Sequence, residues 1–71
     1  MANFEITERI AVLSENKNGR TLELNKVKWN GKPEKWDLRR WGVDANGERA
    51  AFKGVALSDY EWSLLQKIMM E

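Results

Sequence analysis

A chain of 71 residues has room for one small domain, read here as 1–71, and buries only about 60% of the surface that its unfolded form exposes. With neither cysteine nor histidine, disulfides and a structural zinc site are excluded, so no metal and no cofactor is expected and a homo-oligomer is the remaining way to enlarge the core. The net charge of +1 excludes little, but its distribution is uneven: Lys17 to Arg40 hold eight cations against three anions, a net +5, which leaves −4 for the rest.

Three Asn-Gly pairs, at Asn18-Gly19, Asn30-Gly31 and Asn46-Gly47, predict three hairpin turns and therefore four antiparallel strands. The first strand runs from about Phe4 to Ser14, with Phe4, Ile6, Ile10 and Val12 on one face. The second, Arg20 to Trp29, starts with Leu22 and Leu24 in phase and then places Val27 and Trp29 on the opposite parity. Either a bulge at Asn25-Lys26 restores the phase or Trp29 faces out. The third, Lys35 to Val43, puts Trp36 and Leu38 on one face and Asp37, Arg39 and Trp41 on the other. The fourth, Arg49 to Leu57, is interrupted by Gly54.

A helix follows, opened by Ser58-Asp59-Tyr60-Glu61, the pattern of a capping box. Tyr60, Trp62, Leu64, Leu65, Ile68 and Met69 spread over roughly 200° of its circumference, twice the stripe needed to sit on one sheet. The excess predicts a second copy of the helix across a two-fold axis, with Trp62, Leu65, Ile68 and Met69 at the contact. The expected class is α+β: a four-stranded curved antiparallel sheet followed by one C-terminal α-helix, in a homodimer. No run reaches the roughly 20 apolar residues of a membrane span, and no signal-peptide pattern opens the chain. A soluble cytoplasmic protein, nucleoid-associated and without membrane contact, is expected.

Catalytic groupings are missing. There is no histidine or cysteine, no Gly-rich phosphate loop, and no serine with a base in any motif; neither an enzyme nor a small-molecule substrate is expected. What stands out is Trp29 to Trp41, three indoles interleaved with Lys32, Lys35, Arg39 and Arg40. Aromatic faces stack bases while cations hold phosphates, which is what a single-stranded nucleic acid requires of its binder. Trp36 shares the parity of Leu38 and is expected in the core, as is Trp62 unless it meets a partner. Trp29 and Trp41 are expected to be exposed beside Lys26, Lys28, Lys32, Lys35 and Arg39.

The order of elements, with Trp29-Asn30-Gly31-Lys32, Trp36-Asp37-Leu38-Arg39 and Lys53-Gly54-Val55-Ala56-Leu57-Ser58 followed by Glu61-Trp62, resembles the transcriptional coactivator family called positive cofactor four, in its short bacterial branch. The resemblance covers nearly the whole chain. It implies a homodimer that binds single-stranded DNA with little sequence preference on curved β-ribbons, as an accessory in transcription or in replication and repair. By position it implies that Trp29 stacks on a base, that Lys32 and Arg39 hold phosphates, and that Lys53 adds a contact. It places Trp41 in an aromatic cluster, and the Asn30 to Glu34 turn brings Lys35 within reach of the phosphate otherwise taken by Lys32. Two alternatives stand beside this reading: a single-stranded RNA binder, and a protein-interaction dimer that uses the Trp/Arg face.

Overall fold

The computed structural model describes residues 3–70. Strands β1 (Phe4–Glu15), β2 (Thr21–Trp29), β3 (Lys35–Val43) and β4 (Arg49–Leu57) form one antiparallel sheet in the order β1-β2-β3-β4, and helix α1 (Asp59–Met69) follows. The expected strand–turn ladder and the α+β class, four antiparallel strands followed by one C-terminal helix, are therefore those of the molecule. Among the described residues no helix is long and apolar enough to cross a membrane.

The three Asn-Gly turns are of two kinds. Only at Asn30-Gly31 are both φ angles positive, 53° and 76°, and the Lys32 N–H donates to the Trp29 carbonyl at 3.0 Å, the geometry of a type I′ turn. The outer turns are built on an Asx residue instead. The Asn16 Oδ1 accepts from the N–H groups of Asn18 and Arg20, and the Asp44 Oδ1 from those of Asn46 and Glu48. In each the glycine alone, Gly19 or Gly47, is left-handed.

β2 and β3 pair without interruption from Thr21↔Trp41 to Val27↔Lys35, so the bulge weighed at Asn25-Lys26 does not occur. The irregularity lies in β1, where Thr7, Ile10 and Leu13 have no partner on β2. Each bulge adds twist, and after Ile6 the side chains that share its face recur at every third residue: Arg9, Val12 and Glu15 lie opposite Asn25, Glu23 and Thr21. The single alternating face expected of β1 is thereby broken, and Val12 and Leu13 are exposed.

The consequence is a tightly curled sheet. Phe4 pairs with Trp29 at one end of β2 and Trp41 with Thr21 at the other, yet the rings of Phe4 and Trp41 lie 5.1 Å apart, with Phe4 and Trp29 at 5.7 Å. Only a sheet coiled over on itself brings the two ends together. Its concave face holds the fully buried side chains: Val27 and Trp41, with the polar Glu23, Asn25 and Asp37. The convex face carries Leu22, Leu24, Trp36 and Leu38, all half-buried.

α1 docks on the convex face through indoles. Trp62 stacks on Trp36 at 4.4 Å with 14° between planes, and the Trp36 Nε1 donates to the Asp59 carboxylate in the first helical turn at 3.1 Å. The capping box is complete, with the Ser58 hydroxyl accepting from the Glu61 N–H and the Glu61 carboxylate from the Ser58 N–H. That backbone N–H, with the Ser58 side chain, holds the Glu61 carboxyl below its ordinary range.

Gly54 faces Arg39 across the β3–β4 ladder, and a Cβ there would collide with the Arg39 backbone. Gly54→Ala is therefore expected to lower stability by about 1–3 kcal/mol through local overpacking, seen as a lower urea midpoint. An unchanged midpoint would show that the two strands part freely at this position.

Candidate functional site

The carboxylates of the two central strands lie on one face. Both of their carboxylates, Glu23 and Asp37, point into the concave side and are buried. Asp37 takes both forks of Arg39, with Nε at 2.9 Å and Nη2 at 3.0 Å, and also accepts from the Trp29 indole N–H at 3.2 Å. The third guanidinium nitrogen of Arg39, Nη1, donates to the Phe52 carbonyl on β4 at 3.0 Å. Its Cζ lies 4.7 Å from the centre of the Trp29 ring. Glu23 accepts from the Thr21 hydroxyl, from Asn25 and from Arg49 at 2.7 Å, with Arg9 at 3.7 Å, and Arg49 in turn covers the Trp41 ring.

Two assignments made on the sequence are overturned here. Trp41 is fully buried and offers no face to a ligand, because the curl of the sheet closes over it. Arg39 is not a free cation: Asp37, two residues earlier on the same face, is buried beside it and binds it in a bidentate pair. Trp29 is half-buried, its ring between Phe4 and Arg39 and its N–H bound to Asp37. The face taken as exposed and functional is the better buried one.

The remaining cations lie elsewhere. Lys26 and Lys28 project from the convex face of β2; Lys26 sits 4.6 Å over the Trp36 ring, and β1 sets Glu8 and Glu5 opposite the two. Lys32 is exposed at the central turn, and Lys35 opens β3 near enough to Glu61 to help lower its carboxyl. Lys53 joins Arg20 and Arg40, neither of which the sequence reading placed in a site, around the Phe52 ring in a recess of about 460 Å³. No acid lines this recess. Among the described residues the only cations in ion pairs are Arg9, Arg39 and Arg49. Adjacent side chains such as Phe52 and Lys53 point to opposite faces in a regular strand, so a β4 irregularity was needed to bring them together. The interrupting Gly54 was its one local signal.

The expected helix contact is divided. Trp62 uses its ring against Trp36 within the chain and Leu65 is half-buried, whereas Ile68 and Met69 are exposed together with Tyr60 and Leu64. Among the described residues there is no group of three or more carboxylates that could hold a metal ion.

No protein-family model matches the chain. An uncharacterized protein of Treponema pallidum is 37% identical over 67 residues, which span 94% of this chain and 75% of the relative. The chain belongs to that protein's family. The match takes in nearly the whole of this chain.

Burial alone would raise the Glu23 carboxyl, but the hydrogen bonds from Thr21, Arg49 and Asn25, with the charge of Arg49, hold it below its ordinary value of 4.5. A depressed folded-state value contributes stability that is full above 4.5 and is lost as the pH falls through the folded value. Urea midpoints across pH are therefore expected to show Glu23→Gln less stable than the wild type near neutrality, with the gap narrowing below pH 4.5. A gap independent of pH would show that the charge of Glu23 contributes nothing. Trp41→Ala is expected to cost on the order of 3–5 kcal/mol, enough to unfold a domain of this size; a variant that melts like the wild type would return Trp41 to the surface.

Proposed function

We propose that the protein is a sequence-nonspecific single-stranded DNA-binding homodimer, an accessory in transcription or in replication and repair. The observation that carries this reading is the sorting of charge. Every carboxylate of β2 and β3 is consumed inside the concave face, while the convex face of the same strands presents Lys26, Lys28 and Arg40, with Arg20 before β2 and Lys53 beside it on β4. These cations stand among half-exposed Leu22, Leu24 and Leu38. Cations interspersed with apolar surface suit a chain of phosphates that also carries unpaired bases. The resemblance to positive cofactor four supports the same function, with the stacking and gripping groups shifted from Trp41 and Arg39 to residues of the convex face.

The dimer rests on α1. No residue of the helix is buried, and Tyr60, Leu64 and Ile68 form an apolar stripe pointing away from the Trp36–Trp62 stack. A second copy of the same stripe covers it with matching chemistry, by the self-complementarity of a two-fold contact.

If about five phosphates are neutralised per subunit, log K for oligo-dT against log salt has a slope near −3.5, at roughly −0.7 per contact. Duplex of equal length binds more weakly, since paired bases expose no face. Salt-independent binding of a protein, with no affinity for oligo-dT, would replace this reading with the interaction-dimer one; preference for oligo-U would replace DNA with RNA. Sedimentation is expected to show two subunits for the wild type and one folded subunit for Ile68→Glu. A variant that sediments like the wild type would remove α1 from the interface.

A further inference from the structure

The β3–β4 ladder breaks between Arg39↔Gly54 and Trp41↔Ala51. One β3 residue, Arg40, therefore faces two on β4, Phe52 and Lys53, which is the arrangement of a β-bulge. The bulge is held from inside the sheet by Arg39, whose Nη1 donates to the Phe52 carbonyl. On the other side Gly42 leaves room for the ring: a Cβ at Gly42 would come 2.6 Å from Phe52 Cε2 and 3.1 Å from Arg20 Cγ. Arg20 Cζ lies over the Phe52 ring, 4.4 Å from its centre, so the guanidinium covers one face of the ring. An aromatic ring is thus seated on a glycine backbone at the wall of a recess of about 460 Å³ whose other walls are Arg20, Arg40 and Lys53. That volume falls in the range of small-molecule pockets.

We propose that this recess is a nucleotide subsite, in which one base of the bound strand lies against Phe52 while Arg20, Arg40 and Lys53 hold the phosphates on either side of it. The inference deepens the single-stranded DNA reading and rests on it. A site for a bare anion would need only the three cations; the half-buried ring, stacked with the Arg20 guanidinium, adds a planar apolar surface that an anion cannot use and a base can. Gly42 is a positioning residue for this platform, since any side chain there drives the ring and Arg20 from their places.

The test compares the wild-type protein with Phe52→Leu, Arg40→Gln and Gly42→Ala on oligo-dT at several salt concentrations, with thermal melts of each. Phe52→Leu keeps an apolar group on Gly42 but removes the flat face, and is expected to weaken binding about tenfold, the size of one base–aromatic stack, without changing the salt slope. Arg40→Gln is expected to make the slope shallower by about 0.7. Gly42→Ala follows Phe52→Leu in affinity. Should the Phe52 variant melt too low to assay, photocross-linking of wild-type protein to an iododeoxyuridine-substituted oligo-dT, mapped by mass spectrometry, is expected to mark Phe52.

Full affinity in Phe52→Leu, or cross-links confined to Trp29, would overturn the subsite while leaving single-strand binding in place. Failure of the wild type to bind oligo-dT at low salt would overturn both.

Discussion

The buried pair of Asp37 and Arg39 is the interaction on which the rest of the architecture depends. Neither side chain can be charged and alone inside the curl, because removing one partner of a buried ion pair typically costs about 3–5 kcal/mol. Asp37 is satisfied by three donors, two from Arg39 and one from the Trp29 indole. Arg39 is satisfied by Asp37 and by the carbonyl of Phe52. One pair thus ties β3 to the end of β2 and to the bulge of β4. It also holds the Trp29 ring, which meets Phe4, which in turn meets Trp41. The concave core of this domain is consequently a polar and aromatic network as much as an apolar one.

That network withdraws both carboxylates of the two central strands from the convex face. Glu23 and Asp37 are withdrawn into the concave side, where Arg9, Arg39 and Arg49 answer them. The convex side of β2 and β3 keeps Lys26, Lys28 and Arg40, with Glu8 and Glu5 of β1 across from the two lysines, and Arg20, Arg40 and Lys53 gather around Phe52 in a recess that no acid lines. The exposed acids lie mostly on β1, in the outer turns and on α1, away from the recess around Phe52. The aromatic residues divide in the same way: Phe4, Trp29 and Trp41 line the inside of the curl, Trp36 and Trp62 fasten the helix, and Phe52 borders a basic recess on the outside.

Membership in one family with the Treponema pallidum protein, which is uncharacterized, does not bear on activity. The functional reading rests on the cations and apolar side chains that β2, β3 and β4 present on the convex face, and on the chemistry of single strands. The resemblance to positive cofactor four pointed to the same class of ligand by a different set of residues. Lys53 is common to both routes. Trp41 and Arg39 are not, since the pairing of Arg39 and the burial of Trp41 give them structural work.

The amino-acid sequence by itself determined the four strands, the places of their turns, the capped helix and the parity along β3, because turn chemistry, alternation and capping act over two to four residues. The placing of Trp36 with Leu38 opposite Asp37, Arg39 and Trp41 follows from these local rules, whereas on β2 they left a bulge at Asn25-Lys26 open and the pairing with β3 decided against it. Which of the two faces would be inside was decided only by the tertiary structure. Both faces carry apolar and charged residues, so alternation alone could not rank them. The choice came from the sense of curl, set by bulges in β1 at Thr7, Ile10 and Leu13, where nothing local marks an extra residue. The recess had the same origin. Arg20, Arg40, Phe52 and Lys53 are far apart in the chain or adjacent with opposite parity, and only a bulge across from Arg40, with Gly42 making room, places them around one space.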